Sequence, residues 1–267
     1  MRLFNVEAVV LRAHAVREAD RLLVLLSRER GKLRAMAYGA AKPASRKRGA
    51  VQPFTHGKYL LAAGRELYTV RQAEEITSWP SFYGDLVRLA YASYAAELAD
   101  AFLPEEQPGE GAFRLFFRFL QQLAVRVDHL ILRLFEARLL SCAGLWPQLA
   151  ACATCAATPG SEVFFSPRAG GILCRACGEK EPEAVACRRG TLRLLDTLQR
   201  WPFERLGSLR VDATGLDELG RVLQAAVCYH LEQEPKTLRF LRRLENEVKN
   251  PGEGDNRDDH PSPGIRW

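Results

Sequence analysis

Residues 21–38 read Arg21-Leu22-Leu23-Val24-Leu25-Leu26-Ser27-Arg28-Glu29-Arg30-Gly31-Lys32-Leu33-Arg34-Ala35-Met36-Ala37-Tyr38. An apolar run, Leu22 to Leu26, ends in the polar turn Arg28-Glu29-Arg30-Gly31. The segment after the turn starts by alternating polar and apolar residues, the pattern of a half-buried strand, with Lys32 and Arg34 on its polar face. Working outward, Asn5 to Arg12 holds Val6, Ala8, Val9, Val10 and Leu11, another strand. After a loop rich in Gly, Pro, Ser and Arg (Gly39 to Gly49), two further strands fit residues 50–62 and 66–72, with Gly64 at the turn between them. A loop of that composition is expected to carry little core packing. Five short strands in about 70 residues suit a small closed barrel.

An oligonucleotide-binding (OB) barrel fits the strand count, and a small SH3-like barrel fits it nearly as well. From Ser81 the period turns helical: Leu86, Leu89, Ala90, Tyr94, Leu98 and Phe102 recur at intervals of three and four. Phe113, Phe116, Phe117, Leu120 and Leu123 form a second stripe, and such phenylalanines read as core. Asp128 is placed to cap a third helix, which Gly144-Leu145-Trp146-Pro147 ends. Helices resume near Thr191 to Arg200. Thr214-Gly215-Leu216-Asp217 has capping-box spacing, and Pro235 can open the last helix. The expected organisation is α+β: a barrel over 1–80, then a helical domain over 81–249 with a cysteine-rich module inserted at about 150–180. Residues 250–267 hold six Gly and Pro and no apolar period, and are expected to be disordered.

The chain of 267 residues is 47% hydrophobic and 26% charged, which argues against wholesale disorder. No window approaches 18 uncharged apolar residues, and the N-terminal stretch is broken by charge, so neither a membrane span nor a signal peptide is expected. An intracellular, cytoplasmic setting follows, and in it seven cysteines with two CxxC pairs favour metal over disulfides. Cys152-Ala153-Thr154-Cys155 and Cys174-Arg175-Ala176-Cys177 are spaced as a zinc site. Two such turns complete a tetrahedron of thiolates around one Zn²⁺, closed to catalytic water and hence structural. Cys187 is a conceivable stray ligand. His230-Leu231-Glu232 matches half of a zinc deaminase signature, but it lies downstream of the cysteines and lacks the preceding proline; a polar pair on a helix fits better. No nucleotide-binding or hydrolase motif is present.

Charge is uneven. Residues 1–80 carry 15 Lys and Arg against 7 Asp and Glu, a net of +8 in a chain whose total is +6. Between Glu29 and Glu66 lie nine basic residues and no acidic one. Such a stretch favours a polyanion, with Lys32, Arg34, Lys42, Arg46, Lys47, Arg48 and Lys58 as candidate contacts. Tyr38 and Tyr59 could stack bases or fill the barrel. Arg188, Arg189 and Arg193, and the helical stripe Lys236, Arg239, Arg243, are a possible second track or simply a solvated face.

With these residues in view, the sequence resembles the bacterial recombination mediator and DNA repair protein RecO family. The match runs through Gly39-Ala40, Ser45, Gln52-Pro53-Phe54 and Glu74. It continues through Tyr94, Glu97-Leu98, Leu134-Phe135-Glu136, Leu139-Leu140 and Gly144-Leu145-Trp146-Pro147. Phe164-Phe165-Ser166, Gly170-Gly171, the cysteine pairs and Lys236-Thr237-Leu238-Arg239 complete it, with Thr237 where serine is usual. The resemblance implies an N-terminal OB fold, a helical domain with an inserted zinc module, and work without catalysis. It implies binding of single- and double-stranded DNA and annealing of complementary strands. RecR and the C-terminal tail of single-strand binding protein (SSB) are the implied partners, and the RecA recombinase an indirect one. Two other readings are a zinc enzyme, which needs an open coordination position, and an OB-fold RNA-binding or ribosome-assembly factor, which shares barrel and charge.

Overall fold

The computed structural model describes residues 2–249, with side chains through Leu244; the tail expected to be disordered, 250–267, lies outside the described residues. Strands β1 (Leu3–Ala15), β2 (Arg21–Ser27), β3 (Gly31–Ala37), β4 (His56–Ala62) and β5 (Tyr68–Thr77) close into a barrel in the order β1-β2-β3-β5-β4. Every pairing is antiparallel except β3 with β5, which run parallel at Ala35–Tyr68 and Met36–Thr69. A simple meander would set β4 beside β3; this Greek-key order is that of the OB barrel. A bulge between Val10 and Arg12 bends β1, so that it pairs with β4 along its first half and β2 along its second.

The strand that decides the fold is buried on both faces. Leu23 and Leu25 point into the barrel with Val6, Ala8, Val10, Leu33, Tyr59 and Leu61. Val24 and Leu26 point outward, yet they too are buried, because with Val9 and Leu11 they join the core of the helical domain. That is why Leu22 to Leu26 reads as an unbroken apolar run rather than an alternation. Burying one such side chain is worth roughly 1.5–3 kcal/mol, so this shared layer ties barrel and helices into one body.

Two expectations for this half are corrected. Residues 50–55 are turns, not strand: Pro53 cannot donate to a ladder and Phe54 takes φ 67°. The loop before β4 is also not free of core. Ala40, Ala50, Val51 and Phe54 are buried, and the Tyr59 hydroxyl donates to the Ala50 carbonyl at 2.7 Å.

The helical domain opens with α1 (Leu86–Phe102), capped by Asp85, then α2 (Glu110–Val125) and α3 (His129–Cys142). Asp128 caps α3 as its position suggests, accepting from the Leu130 N–H at 2.8 Å. Phe113, Phe116, Phe119 and Phe135 are buried between these helices, so the phenylalanine stripe is core. Next come β6 (Glu162–Ser166), β7 (Gly171–Leu173), the single turn α4 (Arg175–Gly178) and β8 (Val185–Arg188). The three strands form a small antiparallel sheet in the order β7-β6-β8. None is legible in the sequence, since each is only three to five residues long and lies among glycine and cysteine turns. The chain continues through α5 (Arg189–Arg200), α6 (Ala213–Leu231) and α7 (Lys236–Lys249). The cap of α6 is Asp212, whose carboxylate accepts from the Gly215 N–H at 2.7 Å, so the box expected at Thr214 is displaced by two residues.

Candidate nucleic-acid interface and metal centre

The four sulfurs of Cys152, Cys155, Cys174 and Cys177 lie within 4.8 Å of one another. Cys155 and Cys174, one from each CxxC turn, are 3.7 Å apart. A tetrahedron with Zn–S bonds of about 2.3 Å has edges of about 3.8 Å, so the donor set fits such an ion. The first turn is closed by the Ala156 N–H donating to the Cys152 carbonyl at 2.9 Å, with Ala156 at φ 59°. The second is closed at Gly178, whose N–H donates to the Cys174 carbonyl at 2.8 Å. Gly178 is required there: a Cβ would lie 2.3 Å from the Phe164 ring. Burial disfavours a charge on Cys152, but hydrogen bonds from Cys174, Cys155 and Thr154 outweigh it and bring its thiol down to about 6. Hydrogen bonds to Cys174 and Cys155 push the Cys177 thiol the other way, up to about 12.

Cys187 is no part of this group. It is buried in the helical core, which pushes its thiol up to about 12. His230 and Glu232 are no part of it either. They sit at the end of α6, where Glu232 takes the left-handed conformation that terminates the helix.

The basic residues of the barrel divide into two populations. The first faces the helical domain. Lys32 is only 6% exposed, and its ammonium meets the Asp100 carboxylate at 3.4 Å and the Asp100 carbonyl. Arg34 pairs with Glu105 at 2.6 Å, Arg28 with Glu110 at 3.0 Å, and Arg12 with Asp100 at 3.6 Å. The β2–β3 turn touches the α1–α2 loop so closely that a Cβ on Gly31, itself at φ 65°, would meet the Gln107 carbonyl at 1.9 Å. Lys32 is therefore corrected from an open polar face to an internal seam, while Arg34 stays at the surface, its side chain 44% exposed in the pair with Glu105. A strand that alternates charge and apolar side chain presents its charges to whatever covers it, and here acidic helix ends cover it.

The second population lies on the loop between β3 and β4. Lys42, Arg46 and Arg48 are exposed and have no carboxylate partner among the described residues. Lys47 differs from them: its ammonium donates to the carbonyls of Tyr38 (3.2 Å) and Val70 (3.3 Å). Partial burial, and then the nearby Arg71, hold it below the usual lysine range. Arg46, Lys47 and Lys58 line one cleft together with Arg71, a residue the charge pattern did not single out. Glu7, Glu29 and Glu74 share that cleft, and Lys58 stands in register between Glu7 on β1 and Glu74 on β5. Tyr59 is wholly buried and belongs to the barrel core, whereas Tyr38 is 55% exposed.

The remaining basic sets are spread apart. Arg188 is bound by Glu218 at 3.1 Å and Asp212 at 3.5 Å. Arg189 and Arg193 line a cleft of about 530 Å³ between α5 and the cysteine module. On α7, Arg239 pairs with Glu234 at 3.1 Å, while Arg243 is exposed. The start of α7 is held by Glu97, which accepts from the Thr237 N–H at 3.0 Å and the Lys236 N–H at 3.3 Å. No helix among the described residues is long and apolar enough to cross a membrane.

Comparison with known proteins bears on the whole chain. Residues 1–79 match the family model "Recombination protein O N terminal", and residues 83–239 match "Recombination protein O C terminal". The chain is 49% identical over 244 residues to the DNA repair protein RecO of Desulforudis audaxviator, covering 91% of this chain and 98% of that one. It is 41% identical over 244 residues to the protein of that name from Pelotomaculum thermopropionicum, covering 91% and 95%. Over 249 residues it is 37% identical to the one from Symbiobacterium thermophilum, covering 91% and 98%.

Proposed function

The chain belongs to the recombination protein O family, and from that premise we propose that it is a DNA repair protein that binds single- and double-stranded DNA without catalysing bond chemistry. It anneals complementary strands, including strands coated with SSB, and helps load the RecA recombinase, with RecR and the SSB C-terminal tail as partners. Its place is the cytoplasm, on the nucleoid. The observation that carries the reading is the loop bearing Lys42, Arg46 and Arg48: exposed cations without carboxylate partners among the described residues, on an OB barrel whose other basic face is neutralised from within. Free cations of this kind neutralise phosphates without reading sequence, as annealing of arbitrary strands requires.

Cys152, Cys155, Cys174 and Cys177 hold one Zn²⁺ with a structural role. Four thiolates leave no position for a reacting water, and soft sulfur donors in tetrahedral array select zinc. The ion staples the turn at residues 152–157 to α4, beside a sheet too small to order them alone.

The test is annealing of SSB-coated complementary strands, with and without RecR. Acceleration by the protein is expected. An annealing rate equal to that of SSB-coated strands alone, in both conditions, would refute the reading.

A further inference from the structure

OB barrels take oligonucleotides on the outer face of β2 and β3 and on the adjoining loops. In this chain that face is a ladder of outward pairs: Leu26 with Lys32, Val24 with Arg34, and Leu22 with Met36. The helical domain covers the first rung and the apolar half of the second, leaving Arg34 exposed in an ion pair. Leu26 and Val24 are 1% and 2% exposed, and Lys32 and Arg34 are paired with Asp100 and Glu105. The third rung stays partly open, and one step beyond it Tyr38 stands 55% exposed, its hydroxyl without a partner among the described residues.

This remnant of the face is firmly held. The Gly39 N–H donates to the Asp20 carboxylate at 2.8 Å, and the Ala41 N–H to the Ala19 carbonyl at 2.9 Å. The Lys47 ammonium grips the Tyr38 carbonyl from the other side. Tyr38 is thus an exposed ring on a pinned backbone, next to a loop of cations without carboxylate partners among the described residues, just past the part-exposed Leu22–Met36 rung. The Asp20 carboxylate beside it is engaged by the backbone at Gly39.

Building on the nucleic-acid reading above, we infer that Tyr38 is the base-stacking residue of the barrel and makes the site prefer unpaired strands. A flat ring beside a phosphate-binding loop offers a surface to any base, and only an unpaired base can reach it. Exposed cations serve single strand and duplex alike.

The experiment compares wild type, Tyr38→Ala and Tyr38→Trp by fluorescence anisotropy on a labelled single strand, on the same strand made abasic, and on the duplex. Tyr38→Ala should weaken single-strand binding about five- to hundredfold and leave duplex binding unchanged. Tyr38→Trp should keep single-strand affinity. On the abasic strand wild type and Tyr38→Ala should bind equally. Equal loss on single strand and duplex, or no loss on either, overturns the stacking role while leaving the DNA-binding reading intact. Failure of the wild type to bind any of the three probes overturns both. Tyr38 is exposed, so its substitution spares the core; Tyr38→Trp guards against a loss that reflects only folding.

Discussion

Neutralising Lys42, Arg46 and Arg48 together, each to Gln, should change how DNA binding depends on salt. These three cations are exposed and have no carboxylate partner among the described residues. Each that meets a phosphate releases condensed counterions, contributing about 0.7 to the slope of log K against log salt on a single strand and about 0.9 on a duplex. Losing three contacts should flatten the single-strand slope by about 2 and the duplex slope by nearly 3. Between 50 and 200 mM salt, the triple variant should lose about 20-fold less single-strand affinity than wild type. Glutamine is chosen over glutamate because a reversed charge adds repulsion, which would inflate the effect. Lys47 is left in place because its ammonium ties the loop to the Tyr38 and Val70 carbonyls, and removing it would disturb the loop itself. The assay is anisotropy across a salt series. Lys32→Met provides the contrast: it removes a buried basic residue of the same stretch and leaves Asp100 to Arg12, and the slope should not move. An unchanged slope in the triple variant would refute the assignment and shift the DNA path to Arg189, Arg193 and Arg243.

Asp100→Asn alone should cost about 3 kcal/mol, because it strands the buried Lys32 ammonium and weakens the hold on Arg12; a loss below about 1 kcal/mol in denaturant melts would show that the seam carries little. Cys152→Ser should abolish stoichiometric metal in elemental analysis and expose residues 152–178 to protease while DNA affinity holds; full metal content in that variant would remove the four-sulfur site. Glu218 supplies a pH dependence. Burial works against its charge, yet the Thr191 hydroxyl and the backbone N–H and guanidinium of Arg188 prevail and hold its carboxyl below the usual range. A depressed folded-state value means the contribution is complete above the unfolded value near 4.5 and is lost as pH falls through the folded one. Glu218→Gln should therefore destabilise at pH 7 and narrow its deficit in more acidic solution; a deficit constant from pH 7 to pH 3 would contradict the linkage.

What the sequence discloses and what it hides follow from how local the determining interaction is. The cysteine pairs are legible because each CxxC turn is self-contained and only two turns must meet. The cap at Asp128 acts within two residues, and the phenylalanine stripe repeats at helical spacing. The strands β6, β7 and β8 are hidden because they are shorter than any period that could announce them. The barrel's charge is the instructive case. From Glu29 to Glu66 the sequence shows one acid-free basic run, but Lys32 and Arg34 answer to Asp100 and Glu105, some 70 residues away, while Lys42, Arg46 and Arg48 answer to nothing in the described fold. The first pair alternates along a strand and the second group sits in a polar loop, but neither pattern tells which cations meet a carboxylate. The separation is made by the outward residues of β2: Val24 and Leu26 must be covered, and what covers them buries Lys32 and brings Glu105 against the still exposed Arg34. Burying an ammonium is costly unless it is paired, so the covering surface must bring carboxylates. Asp100, Glu105 and Glu110 therefore belong to the barrel's charge balance although they are written in the helical domain. Net charge counted along the first 80 residues overstates the field a nucleic acid meets. The working cations are those on the loop after Tyr38, where the outward ladder runs past the edge of the helical domain.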